Sequence, residues 1–200
     1  MTRTTKNRIL YYLTFAIALL IVSGVLIGLV QQFPGSAGGI IAAFVILGFV
    51  PGRVQRRLWD DFYEGQHLQS KGKHAEALRY FEKFLKAIRK NPGLKRWVWL
   101  GKWIYTSNAE VMILNNMAVS YLWLHSYSKA EESLQAAREL DPESPLPYYN
   151  LSVLHFARGD QANATEYMEK ARKLGYRRSS IKQLEEMASN PPASAGKEGD

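Results

Sequence analysis

The sequence predicts an all-α chain: an N-terminal transmembrane helical hairpin, then an α-solenoid of about three helix pairs closed by a C-terminal capping helix. Three observations carry that expectation. No residue from Ile9 to Val30 is charged, a stretch of 22 residues. A second apolar run extends from Ala37 to Val50 after the breakers Pro34 and Gly35. Further on, Ala130 and Ala164 stand 34 residues apart in matching surroundings, and the apolar residues around both recur at helical spacing.

Of the 200 residues, about a quarter belong to the apolar N-terminal part, which leaves room for one modest helical domain. The net charge of +8 is unevenly spread: Arg53 to Lys102 holds 13 Lys and Arg against 5 Asp and Glu, and the remainder beyond Lys102 holds 10 against 13. A basic half beside a membrane anchor predicts attraction to anionic lipid headgroups, at about 1 kcal/mol per Lys or Arg near the surface. No nucleic-acid-binding motif accompanies the charge, so nucleic acid is not an expected partner. The absence of cysteine excludes disulfides, Cys-ligated zinc and thiol catalysis.

A basic tail over residues 1–8 carries Arg3, Lys6 and Arg8. The span that follows, at roughly 1.5 Å per residue, makes a helix of about 33 Å, enough to cross a bilayer core. A secretory signal shares the basic start, but its apolar core runs only about 7 to 15 residues. The second run would be about 21 Å long if helical before Pro51-Gly52 ends it, so a buried or re-entrant segment competes with a full crossing. Gly35, Ser36, Ala37, Gly38 and Gly39, with Ala42 and Ala43, would let it pack closely on the first helix. The expectation is a tight transmembrane hairpin over 9–52. Arg53, Arg56 and Arg57 follow it and the turn is uncharged, so the positive-inside rule puts both ends in the cytoplasm. The chain is thus expected to be integral to a membrane through two transmembrane helices, with its helical domain cytoplasmic. Were the second run not to cross, that domain would lie on the opposite face.

The helical domain is placed at 53–189, with repeats at about 58–92, 111–144 and 145–178. In the last, Tyr148, Leu151, Ser152 and His155 share one helical stripe, and after Gly159-Asp160 a second helix carries Ala164, Met168 and Ala171. The middle unit repeats the layout with Leu114, Met117, Ala118 and Tyr121, then Ala130, Leu134 and Ala137, closing at Asp141-Pro142. Upstream, Gly65, Leu68, Gly72, Ala77, Phe81 and Phe84 hold the corresponding places, and Asn91-Pro92 ends an elongated second helix. Alanine at a helix crossing permits close backbone packing. An insertion at 93–107 is rich in Trp and basic residues; strand, hairpin and helix are all compatible with it. Its Trp97, Trp99 and Trp103, with Arg53, Arg56 and Arg57, suit a headgroup-level belt, or its indoles pack on the solenoid. Ile181, Leu184 and Met187 predict a capping helix at 179–189 that covers the open end of the stack. The composition of 190–200 predicts a disordered tail.

These residues resemble the tetratricopeptide repeat (TPR) family over roughly Leu58 to Leu174. The small residues Gly65, Ala118 and Ser152, the bulky Leu68, Tyr121 and His155, the alanines Ala77, Ala130 and Ala164, and Pro142 fit the family pattern. Departures occur as well. The closing proline of the first unit arrives late, Tyr176 stands where proline is usual in the third, and His125 replaces the glycine that Gly72 and Gly159 supply in the other turns. The resemblance implies a right-handed solenoid whose first helices line a concave groove for a partner protein, presented as a peptide or a helix.

The groove residues implied are Phe62, Gln66 and Gln69 in the first unit, Asn115, Asn116, Val119, Leu122 and Trp123 in the second, and Tyr149, Asn150, Val153 and Phe156 in the third. Amides that bond a backbone beside apolar rings suit such a guest; alternatively, the asparagines cap or bridge adjacent helices. Phe62, Gln66 and Val153 stand where the family's carboxylate clamp needs Lys or Asn, and Asn116 alone fits it, which disfavours acidic chaperone tails as guests.

Catalytic signatures are lacking. His67, His74, His125 and His155 form no i, i+4 pair with a nearby carboxylate of the kind a helical zinc site shows, and no phosphate loop, nucleophile elbow or kinase motif occurs. No enzyme activity, cofactor or metal is expected. Asp60 and Asp61 open a helix, where the dipole favours them. The function expected is a membrane-anchored adaptor or scaffold; the alternative is an assembly subunit of a membrane complex that binds through its hairpin. Oligomeric state is open.

Overall fold

The computed structural model of the chain describes residues 2–95 and 105–177. Among them the fold is all-α: α1 (Arg3–Gln32), a 3-10 turn at Pro34–Ser36, α2 (Ala37–Leu58), α3 (Asp60–Ser70), α4 (His74–Lys90), α5 (Ala109–Trp123), α6 (Tyr127–Leu140), α7 (Pro145–Ala157) and α8 (Gln161–Lys173). The insertion core at 96–104, with Trp97, Trp99 and Trp103, the expected cap at 179–189 and the tail at 190–200 lie outside the described residues.

Both apolar runs are helical and longer than the sequence implied. α1 opens at Arg3, where the Thr2 hydroxyl caps it by accepting the Thr5 N–H at 3.3 Å. The basic residues after Thr2 therefore extend the first helix and do not form a separate tail. α2 runs through Pro51 and Gly52 without a break and ends at Leu58, so its 22 residues span about 33 Å. Apolar side chains on both helices point outward, with Leu20 72%, Ile46 65% and Phe49 65% exposed. The close packing expected from the small residues is not formed, since a Cβ added at Gly35, Gly38 or Gly39 would meet nothing within 4 Å.

The rest of the chain stacks as three helix pairs, α3 on α4, α5 on α6 and α7 on α8, with α4 against α5 and α6 against α7. Small residues set the approach within each pair. Gly65 faces the ring of buried Phe81, and Ala77, Ala118 and Ala130 are fully buried. Ser152 donates its hydroxyl to the Ala164 carbonyl at 2.6 Å. Larger side chains fill the rest. Trp59 and Phe62, each 2% exposed, meet edge to face at 5.4 Å and pack against Phe84. Leu134, Leu151, Leu154 and Met168 close the later layers.

The three intra-pair turns share one geometry. Gly72 and Gly159 take φ of 78° and 79°, and His125 takes 54°. Behind each, the next N–H reaches back five residues: Lys73 to Leu68, Ser126 to Tyr121, and Asp160 to His155, all at 2.9 Å. This is the helix stop in which a left-handed residue lets two backbone donors satisfy the last carbonyls. His125 thus makes the same turn as the glycines, at some steric cost.

Because the pairs are antiparallel, the connections between repeats gather at the edge where α2 enters α3. Trp59 anchors that entry by donating its indole N–H to the Leu94 carbonyl at 3.2 Å. Beside it Glu110 accepts from Arg89 at 3.1 Å and from Lys95. Burial pushes the Glu110 carboxyl up, but the bonds from Lys95 and Arg89 outweigh it and hold the group below the ordinary carboxylate range.

Candidate functional site

The first helix of each pair presents a stripe beside its neighbour's. On α5, Met112, Asn116, Val119 and Trp123 follow one another by four, three and four positions; on α7, Leu146, Tyr149, Val153 and Phe156 do so by three, four and three. All are partly exposed, Trp123 most at 48%. Gln66 on α3 is exposed next to them. None of these side chains carries a charge, so the strip offers apolar and aromatic contact with a few amides.

Several expected groove residues do other work. Phe62 faces the core among Trp59, Phe81 and Phe84, because Trp59, just before the helix, builds an aromatic cluster on that side. Gln69 on α3 donates through Nε2 to the Asn116 carbonyl and the Ser120 hydroxyl on α5, both at 2.8 Å. Asn150 on α7 donates to Asn115 Oδ1 on α5 at 2.8 Å, and the two residues are 6% and 8% exposed. These three amides tie neighbouring first helices together, the alternative role of the asparagines and one not expected of Gln69. Asn116 turns its amide to the Met112 carbonyl on its own helix at 2.7 Å and remains half-buried. Tyr149 stacks on Tyr176 at 4.3 Å, which gives Tyr176, in the place usually held by proline, a packing role. Met112 and Leu146 were missed; extending the stripes by four and three residues toward the helix starts would have found both.

At the turn edge of the strip, His74 stacks on Trp123 with centroids 5.3 Å apart. Its Nδ1 is buried without a hydrogen-bond partner in the described residues, and burial lowers its pKa below 6.5. His155 bonds Asp160 at 3.0 Å and stacks on Tyr167. Among the described residues no three His, Asp or Glu cluster as metal ligands would. A shallow recess of about 320 Å³ lies elsewhere, between α6, α7 and α8 around Tyr148, with Arg138, Lys170, Glu166 and Glu169 at its walls. Its cations lie over the Tyr148 ring and its charges are mixed, which makes it a less selective surface than the strip. Arg53, Arg56 and Arg57 are exposed at the end of α2, and the last two sit in its final turn, where the helix dipole favours cations.

A tetratricopeptide repeat family model matches residues 147–174, the stretch that holds nearly all of α7 and α8. A search of curated proteins returns no match. The third helix pair is therefore a tetratricopeptide repeat, a module that binds other proteins and is typically non-catalytic.

Proposed function

We propose that this tetratricopeptide-repeat chain is a membrane-anchored adaptor that holds a peptide or helix of a partner protein on the strip formed by α3, α5 and α7. The observation that carries the reading is the uncharged, half-buried surface of Asn116, Val119, Tyr149, Val153 and Phe156 beside exposed Trp123 on the first helices of a repeat array. A guest with apolar side chains at helical or extended spacing fits it. α1 and α2 serve as the anchor: both are long and apolar enough to cross a bilayer, and their outward apolar side chains exceed what a water-exposed surface tolerates. Arg53, Arg56 and Arg57 meet anionic headgroups on the cytoplasmic face. Anchoring confines the search for the partner, so a weak strip suffices.

The test is capture from photoreactive residues at Asn116 and Tyr149 in the full chain within membranes. Crosslinks to one protein from both positions, lost on Val153→Glu, support the adaptor. Capture from the outer helices α6 and α8 alone overturns it. A second reading, an assembly subunit that packs on partner helices through its hairpin, is favoured by Gly24 and Gly28, whose added Cβ would meet nothing within 4 Å. Four residues apart on α1, they leave a face on which another membrane helix can lie closely. Exchange of residues 9–52 for an unrelated hairpin separates the two, because only an adaptor keeps its partner.

A further inference from the structure

The first turn of α1 sits on the helical domain. Arg3 lays its guanidinium along the Asp141 carboxylate, with Nη1 to Oδ1 and Nη2 to Oδ2 both at 2.7 Å, and Nη1 lies 3.2 Å from Glu143. Nη2 also donates to the Tyr105 carbonyl at 3.4 Å. Asp141 is already oriented, because the Thr106 hydroxyl donates to it at 2.7 Å. One residue on, Thr4 is 2% exposed and donates its hydroxyl to the Leu174 carbonyl at 2.8 Å. The fit beside it is tight: a Cβ at Gly175 would fall 2.8 Å from Thr2 Oγ1 and 2.9 Å from the Thr4 Cβ. Bidentate arginine pairing, a buried threonine and a glycine with no room for a side chain together make a docking site for residues 2–4.

We propose that this contact is a latch that holds the start of α1 against the helical domain and thereby fixes both on one face of the membrane, with α2 a complete crossing. The inference rests on the membrane reading above. If α1 spans, Thr2 to Thr4 lie on the face from which it starts, and Tyr105, Asp141 and Leu174 touch them there. A re-entrant α2 would leave the domain on the far side of about 30 Å of hydrocarbon, out of reach of Arg3. The two attachments grip opposite ends of the stack: α2 runs directly into α3 at Leu58–Asp60, whereas residues 2–4 hold the α6–α7 loop and the end of α8. The stack is pinned at both ends with its inter-repeat edge toward the bilayer, and the strip on α3, α5 and α7 opens sideways over the membrane surface.

The cysteine-free chain makes the test direct. Lys6→Cys, Gln32→Cys and Gln135→Cys are introduced singly into the full chain in sealed membrane vesicles and treated with an impermeant maleimide. The expected result is that positions 6 and 135 label from one face and position 32 from the other. Labelling of 6 and 135 from opposite faces overturns the latch. The contact itself is read by amide hydrogen exchange at 105–106, 141–144 and 174–176 in Arg3→Glu, Arg3→Ala, Asp141→Arg and the Arg3→Glu/Asp141→Arg exchange. Each single change is expected to speed exchange there about tenfold, with recovery in the charge swap. Wild-type exchange in both Arg3 variants overturns the latch. Release of the wild-type chain by alkaline carbonate, with the exchange pattern intact, would instead sink the membrane reading and the sidedness drawn from it while leaving the contact standing.

Discussion

His74 lies flat on Trp123, with ring centroids 5.3 Å apart and planes only 5° from parallel. The pair joins the first turn of α4 to the last turn of α5 at the edge away from the repeat connections. Burial lowers the His74 pKa below its ordinary 6.5, so the imidazole is neutral at pH 7. Its folded pKa is depressed, so the unfolded chain binds more protons in the interval below 6.5. Stability from this group is complete above about pH 6.5 and is lost as pH falls through the folded value. The urea midpoint of the wild type should therefore drop as pH falls below about 6.5, and His74→Phe should lose that step. An identical decline in both proteins would remove His74 as its source.

His125 offers a gain. It holds φ of 54° where the other two turns use glycine, at a cost of about 1 kcal/mol for a side chain in the left-handed region. His125→Gly should recover most of that, less its exposed contact with Tyr127 at 3.0 Å, and raise the thermal midpoint by a few degrees. A lower midpoint would show that the Tyr127 contact outweighs the strain.

Gly65 is bound by the opposite constraint. A Cβ there would lie 2.6 Å from Cε1 of Phe81, whose ring is fully buried. Gly65→Ala should destabilise by about 1 to 3 kcal/mol through overpacking. Adding Phe81→Leu should restore part of the loss, and a double-mutant cycle by chemical denaturation measures the coupling.

Asn115 and Asn116 are neighbours with different expected behaviour. Asn115→Ala strips the buried Asn150 amide of its acceptor and should cost about 1 to 3 kcal/mol. Asn116→Ala breaks only a bond to its own helix and should change stability by less than about 0.5 kcal/mol. Partner capture should suffer in the second variant without any loss of folding, and thermal denaturation alongside crosslinking separates the two effects.

Glu110 and Asp141 predict a loss of stability in acid. Burial pushes both carboxyls up, yet Lys95 and Arg89 at the first and Arg3 and Thr106 at the second leave each below its ordinary value. Their contribution is present above about pH 4, the range of unfolded carboxylates, and disappears as pH falls through the folded values. Glu110→Gln should flatten the lower part of the curve of denaturation midpoint against pH, and an unchanged curve would assign the acid sensitivity elsewhere.

The repeat body was readable because its packing rule is local: where two helices cross closely, only Gly65, Ala77, Ala118, Ala130, Ser152 and Ala164 fit, and their spacing survives in the sequence. The two apolar helices were readable for a similar reason. Pro51 was misleading: α2 continues through it to Leu58, because a proline removes one backbone hydrogen bond and bends a helix without always ending it. The family resemblance implied a groove place for Phe62, but Trp59 precedes only the first helix pair, and its ring turns that side into core. For Gln69, Asn115 and Asn150, the sequence pattern is the same whether an amide faces a guest or the next helix. Only the separation of the two helices decides between them. Arg3 and Asp141, 138 residues apart, left no local trace at all.

The grip of Arg89 and Lys95 on Glu110, with Arg3 on the Tyr105 carbonyl, secures both margins of the segment 96–104. Lys95 and Tyr105 are therefore staked separately, so that loss of the Glu110 carboxylate would free the first while Arg3 still held the second.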